Sequence, residues 1–265
     1  MAGLWRSLTS ILNGCRDCAR HYGPHAIAAY LFNLARVQRA DQAECFDEHF
    51  GTATAGLAFP WHLPSLQLQG AEGIHPYEAT PARLVRSILS SIVIAPDRYT
   101  FVDLGSGKGR VLLLASEFPF RKIVGVEISR ELHAIAEANI QRHTLVTQAN
   151  VTYELRCMDA AEYCFEPFPL FLFLFNPFGR HSFQAVLNRV EESLRQTPRD
   201  AFVIYINPQF ENALRASANF QKTGSGGTWL RPWNRYVIYR STTPCETAEA
   251  ITTPPSTSRT ADCPA

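Results

Sequence analysis

The segment Phe101-Val102-Asp103-Leu104-Gly105-Ser106-Gly107-Lys108-Gly109-Arg110 constrains the fold more than any other stretch of the chain. A short apolar run ends at an acid and three glycines follow at alternate positions. An apolar helix-forming run, Val111-Leu112-Leu113-Leu114, begins at once. Glycine lets the backbone turn sharply and lets another group approach where a Cβ would block it. A helix N-terminus leaves backbone N–H groups free. The pattern predicts strand, tight turn, helix, and the same alternation recurs downstream. Strands are expected at Phe101–Leu104, Ile123–Glu127, Val151–Leu155, Leu170–Phe175, Phe202–Ile206 and Tyr236–Tyr239. Helices are expected near Arg110–Glu117, Arg130–Arg142, Phe183–Arg195 and Phe210–Ala218. Near-continuous apolar strands alternating with helices indicate a parallel sheet covered on both faces. Two strand candidates between Phe220 and Arg240, around Gly224-Ser225-Gly226-Gly227, leave no room for a helix and predict an antiparallel hairpin.

At 265 residues the chain is long enough for one large domain with an added element. It can fold without disulfides or a structural metal. Twenty-five Lys and Arg against 24 Asp and Glu give a net charge of +1, which argues against bulk coating of nucleic acid. No apolar run reaches about 18 residues, so no membrane span is expected. Seven cysteines at irregular spacings do not form a disulfide framework, and a cytoplasmic home is expected. Three regions follow. Residues 1–73 read as a basic helical extension plus a Gly- and Pro-rich, lid-like loop from Phe46. Residues 74–240 hold the α/β pattern, with Thr80 as N-cap and Pro81 opening a helix. Residues 241–265, rich in Ser, Thr and Pro, are expected to be disordered.

Several ligands compete for the glycine turn, beside a tight turn with no ligand. A phosphate-binding P-loop fails, because Lys108 is followed by Gly109 rather than Ser or Thr. A dinucleotide turn spaces its third glycine one place later, and an acid opening the turn suits a pyrophosphate poorly. S-adenosylmethionine carries an ammonium that Asp103 can attract. Glu127 ends the next strand and can accept both ribose hydroxyls, with Ile128 beside it. Asp159, next to Ala160, follows the third strand and is placed for the adenine amino group. Three acids at successive strand ends fit the crevice rule for open α/β sheets.

With these residues the chain resembles class I S-adenosylmethionine-dependent methyltransferases over roughly residues 75–240. The resemblance implies a seven-stranded, mostly parallel Rossmann-like sheet of order 3-2-1-4-5-7-6, with strand 7 antiparallel and helices on both faces. It also implies that Tyr77 and Thr80 join Asp103, Gly105, Ser106, Gly107 and Gly109 at the cofactor's methionine end. The glycine turn with a preceding Tyr-x-x-Thr is similar to the non-SET histone lysine methyltransferase group and its bacterial relatives.

The fourth strand ends Asn176-Pro177-Phe178. An Asn oxygen and a rigid Pro carbonyl can orient an N–H nucleophile, and an aromatic ring can wall in a cation. The triplet resembles a shortened amino-group methyltransferase motif with one Pro missing, and an ordinary turn remains the alternative. The expected reaction is N-methylation of a protein amino group. A small amine or an RNA base as acceptor, or a non-catalytic cofactor-binding subunit, stand as alternatives. Asn207-Pro208 reads as a helix-start turn, although it can also line the substrate side. Cys15, Cys18, His21 and His25 have zinc-type side chains at spacings too short for a finger, so no metal is expected. His49, in Phe46-Asp47-Glu48-His49-Phe50, is a candidate base if that loop is a lid, and otherwise Phe46 and Phe50 pack on the core. His133 and Glu137 read as a solvated helix face.

Overall fold

A computed structural model describes residues 11–20, 23–24, 26–69, 75–147, 150–227 and 232–242. The N-terminal part comprises helix α1 (residues 11–20), α2 (Ala26–Glu44), α3 (Phe46–Phe50) and α4 (Pro64–Gln69). Strand β1 (Leu57–Ala58) pairs antiparallel with β2 (Tyr77–Glu78). The remainder runs α5 (Ala82–Ser91), β3 (Thr100–Leu104), α6 (Arg110–Ala115), β4 (Lys122–Glu127), α7 (Arg130–Thr147), β5 (Tyr153–Cys157), β6 (Leu170–Phe175), α8 (Arg180–Gln196), β7 (Ala201–Ile206), α9 (Glu211–Ala216), β8 (Phe220–Gly226) and β9 (Tyr236–Ser241).

The seven-stranded sheet has the order β5-β4-β3-β6-β7-β9-β8. The first five strands in that order are parallel, and β9 is antiparallel to both neighbours. This is the 3-2-1-4-5-7-6 order expected from the resemblance. Helices cover both faces. The Leu-Phe-Leu-Phe-Leu-Phe run of β6 shows why: Phe171 and Phe173 point to one face, Leu170, Leu172 and Leu174 to the other, and all five are buried. On the phenylalanine side Phe101 stacks on Phe171 at 5.7 Å between ring centroids, with Phe120 5.1 Å from Phe101. α5 and α6 close this layer. On the leucine side α8 inserts Phe183, Val186, Leu187, Val190 and Leu194, a helical stripe. The reversed strand β9, which lies between β7 and the edge strand β8, is clamped by Arg240, whose Nε and Nη2 each donate to Asp200 at 2.8 Å.

Several local expectations shift. β5 begins at Tyr153 rather than Val151; Val151 packs on the core from outside the strand. Pro81, not Thr80, is the N-cap of α5, and no side chain caps that helix. Gly224 and Gly226 lie inside β8 rather than in the hairpin turn. β9 extends one residue past 240, to the buried Ser241. The 46–73 segment contains α3, β1 and α4 where loop was expected. Phe46 is buried and Phe50 packs against the same core, so the packing reading of that motif holds, whereas His49 is exposed beside Phe50. His21, His25 and residues 243–265 lie outside the described residues. Among the described residues no His, Cys, Asp and Glu group can hold a metal, and no helix is long and apolar enough to cross a membrane. His133 and Glu137 pair at 3.5 Å along α7, with Glu137 60% exposed.

Candidate functional site

β3 and β6 are neighbours whose helical connections leave in opposite directions, which opens a crevice at their C-terminal ends. A cavity of about 770 Å³ occupies this crevice. Asp103 reaches it from β3 and Glu127 from the end of β4. Asp159 and Ala160 follow β5, and Asn176, Pro177 and Phe178 leave β6. Tyr77, Thr80, Gly105, Ser106, Gly107 and Ile128 complete the set of sequence-selected residues on its wall.

Gly109 is the one selected residue that the wall does not include. It is the N-cap of α6 at φ +84°, and a Cβ there would lie 3.2 Å from the Ala136 Cβ of α7. Its role is close helix packing, which lets α6 start directly behind the turn. The other two glycines face the site. Gly107 has φ +54°, and a Cβ on it would fall 2.2 Å from the Tyr77 ring. Gly105 has φ +82°, and a Cβ there would fall 2.5 Å from the Pro177 Cβ. The turn is thus wedged between the β2 segment and the Asn-Pro-Phe segment.

The turn is held by backbone bonds from Gly105 and Ser106 to the Val126 carbonyl, at 2.8 and 3.0 Å. Glu127 is buried and accepts from the Gly107 N–H through Oε2 and from the Ser129 N–H through Oε1, both at 2.8 Å. Burial pushes its carboxyl upward, and the N–H groups of Ser129, Gly107 and Ile128 oppose that. A carboxylate oxygen has two lone pairs, so each Glu127 oxygen keeps capacity for a hydroxyl. Asp103 is 3% exposed, and among the described residues it makes no ion pair or side-chain hydrogen bond. Its carboxyl is raised well above the usual range, first by burial and then by the charge of Glu127. Two buried carboxylates beside one cavity favour a ligand that brings positive charge. Asp159 uses Oδ1 to accept from the Ala161 N–H at 2.8 Å, as an N-cap.

At the β6 end Asn176 is buried with φ +38°, and Tyr205 of β7 donates its hydroxyl to Asn176 Oδ1 at 3.0 Å. Burial pushes the Tyr205 phenol up to about 12, so it remains a donor. Asn207 is corrected by the structure. α9 starts after Phe210 with no side-chain cap, while Asn207 has φ +50° and lines the cavity at the end of β7.

Other wall residues had no motif to mark them. His75 precedes β2, and Leu63 and Leu66 flank or belong to α4, forming an apolar cluster with Leu132 of α7. Behind the glycine turn, Asp47 of α3 organises the 52–55 segment. It accepts from the Thr52 hydroxyl (2.7 Å), the Thr54 N–H (2.9 Å) and hydroxyl (2.6 Å), and the Ala55 N–H (2.7 Å). That segment holds the turn in place. Tyr77 donates to the Thr54 carbonyl, Lys108 Nζ donates to the Ala55 carbonyl at 2.7 Å, and Asn139 bridges Ala53 N–H and Lys108 O.

Residues 75–151 match the family model described as histone methylation protein DOT1. They span β2, the glycine turn and Glu127. With the sheet order and the cavity walls, this match decides the class. The chain carries a class I S-adenosylmethionine-dependent methyltransferase domain. A protein-lysine N-methyltransferase of Saccharolobus islandicus (strain REY15A) is 36% identical over 77 residues, which are 29% of this chain and 47% of that protein. The chain therefore spans about half the length of the curated relative it matches. Among solved structures, a ribosomal protein L11 methylase from Lactobacillus delbrueckii subsp. bulgaricus matches with TM-score 0.42 and 15% identity, over 61% of this chain and 76% of that one. A magnesium protoporphyrin IX methyltransferase from Synechocystis PCC 6803 matches with TM-score 0.43 and 16% identity, over 60% and 78%. The methyltransferase domain thus supplies the sheet, the turn and the acids, and the N-terminal segment supplies one wall.

Proposed function

We propose that this chain is an S-adenosylmethionine-dependent N-methyltransferase acting on a lysine-like amino group of a protein. One observation carries the reading. Asp103 is a buried carboxylate with no cationic partner among the described residues, and it shares a cavity with the glycine turn, Glu127 and Asn176. The residues present fit the cofactor. Asp103 would receive its ammonium, Glu127 its ribose hydroxyls, and Asp159 with the Ile128 and Leu132 side chains its adenine. Gly105 and Gly107, with Tyr77 and Thr80 alongside, let its methionine end lie against the backbone.

The cofactor supplies an electrophilic methyl group. The chain's own residues do the positioning, which is where an in-line displacement gains most. Asn176 is locked by Tyr205, so its amide presents a fixed face to an amine. Phe178 and Pro177 form the wall beside it. The partial match to a protein-lysine methyltransferase supports a protein amine over the other acceptors. The test is methyl transfer from radiolabelled S-adenosylmethionine into a lysate separated into protein, RNA and small-molecule fractions. Label in protein that is lost with Asp103→Ala is expected. Label in RNA alone overturns the acceptor, and no label in any fraction overturns the enzyme reading.

A further inference from the structure

Arg36 of α2 ties three separate elements together at one side of the cavity. Its Nη2 donates to Glu78 Oε2 of β2 at 2.6 Å and to Asn33 Oδ1 at 3.3 Å. Its guanidinium carbon lies 4.7 Å from the centroid of the Trp233 ring, which Phe32 meets edge-on at 5.9 Å. Asn33 and Glu78 both line the cavity. A cation held between a carboxylate and an indole face is the arrangement by which proteins take up a basic side chain. The contacts set this seat away from the cofactor turn. Tyr77 and Glu78 are successive in β2 and point to opposite faces. The Tyr77 ring lies against Gly107 and bonds to Thr54, while Glu78 turns to α2. Trp233 closely precedes β9, whose Tyr236 pairs with Ile206 at the end of β7. The Arg235 carbonyl accepts from the N–H of Asn207, itself a wall residue, at 2.7 Å. The seat thus belongs to the β7–β9 side, across β6 from the strands that carry Asp103 and Glu127.

The Arg36–Glu78 pair differs from the structural clamps of the same chain. Arg240 meets Asp200 through two bonds at 2.8 Å, and Arg86 meets Glu117 through two at 2.7 Å. Arg36 and Glu78 share a single bond. Arg36 Nε and Glu78 Oε1 are left buried with no partner among the described residues. A buried donor or acceptor without a partner costs free energy, so Arg36 fills the seat without satisfying it.

We infer that Glu78 and Trp233 form a recognition seat for a basic side chain of the acceptor protein, and that Arg36 occupies this seat in the free chain as an internal stand-in. This rests on the reading of the chain as a methyltransferase of a protein amine. The incoming Lys or Arg displaces Arg36 and takes the carboxylate of Glu78 and the face of Trp233. An ammonium has three donors and a guanidinium five, so either can use both carboxylate oxygens. Because the seat is turned away from the glycine turn, it takes a neighbour of the target residue rather than the target amine itself. Seating that neighbour lays the acceptor along the wall that carries Asn207.

The test needs no identified acceptor. Initial rates of label transfer from radiolabelled S-adenosylmethionine into the protein fraction of a lysate are compared for three full chains: wild type, Arg36→Ala, and Arg36→Ala with Glu78→Gln. Arg36→Ala empties the seat, so the acceptor no longer competes with an internal cation, and labelling should run about threefold faster than wild type. The double variant keeps the shape of Glu78 but loses its charge, and should label about tenfold more slowly than Arg36→Ala. Calorimetric titration should give S-adenosylmethionine affinities within about twofold of wild type for both variants, as a seat turned away from the glycine turn requires. Labelling by Arg36→Ala no faster than wild type, or loss of cofactor binding in either variant, makes the pair a structural clamp and overturns the proposal. A double variant as fast as Arg36→Ala also overturns it, because the charge of Glu78 then reads nothing. No protein label with wild type instead overturns the acceptor reading on which the proposal depends.

Discussion

Gly107→Ala separates the role of the glycine turn from the general effect of adding a methyl group. Gly107 has φ +54°, and a Cβ there would lie 2.2 and 2.4 Å from two carbons of the Tyr77 ring. The ring cannot swing away freely, because its hydroxyl is bonded to the Thr54 carbonyl and Lys108 Nζ lies 5.0 Å from its centroid. The left-handed backbone costs about 1 kcal/mol, displacement of a packed ring about 1–3 kcal/mol, and the lost Tyr77 bond about 1 kcal/mol. The sum is about 4 kcal/mol, or roughly 10 °C in Tm for a domain of this size. Gly51→Ala is the control. Gly51 has φ +65°, but a Cβ there meets nothing within 4 Å, so only the backbone cost of about 1 kcal/mol applies. Thermal melts and calorimetric titration with S-adenosylmethionine read both variants. Gly107→Ala is expected to melt far below Gly51→Ala and to lose at least 100-fold in cofactor affinity, while Gly51→Ala keeps wild-type affinity. Equal behaviour of the two variants in both measurements would refute the wedge of Gly107 against Tyr77.

Asp47→Ala removes the acceptor of four hydrogen bonds from the 52–55 segment, and should cost about 3 kcal/mol of stability and weaken cofactor binding without touching the ligand. Burial raises the Asp47 carboxyl, but the Thr54, Thr52 and Ala55 bonds outweigh it and leave the group lowered. Its contribution is therefore present above the unfolded carboxylate value of 3.8 and is lost as pH falls below it, which acid unfolding of wild type against Asp47→Ala will show. Asp103 has the opposite sign. Its folded carboxyl is raised, so its burial weakens the free protein as pH climbs above 3.8, and a cationic ligand pulls the proton off. Cofactor binding on the acid side of neutrality should then release protons, seen as a titration enthalpy that changes with the buffer's ionisation enthalpy and does so less in Asp103→Asn. Tyr205→Phe frees Asn176 Oδ1 and should lower methyl incorporation about tenfold while cofactor affinity stays within about twofold.

The central sheet was legible because strands buried on both faces read as unbroken apolar runs. Leu170–Phe175 is found at the residues expected, and the turn from Asp103 to Gly107 meets the ligand cavity as expected. The edge strand β5, exposed at its end, carries a weaker apolar signal, and its pattern places the strand two residues before its observed start at Tyr153. Asn before Pro serves turns and caps alike, so the sequence around Asn207 points to a helix start. Only the left-handed backbone at the end of β7 shows which face it presents. Leu63, Leu66 and His75 reach the site through tertiary contact from a segment with no periodicity, so spacing could not mark them. The glycines divide similarly: Gly105 and Gly107 serve the cavity and Gly109 serves the helix behind it, and only the packing separates them.

Calorimetric titration of the wild-type chain with S-adenosylmethionine, repeated with Asp103→Ala, tests the central claim most directly. The account predicts one cofactor per chain for the wild type, and for the folded variant at least a 100-fold loss of affinity. A wild-type chain that takes up no S-adenosylmethionine, or a variant that binds it as tightly as wild type, would contradict it.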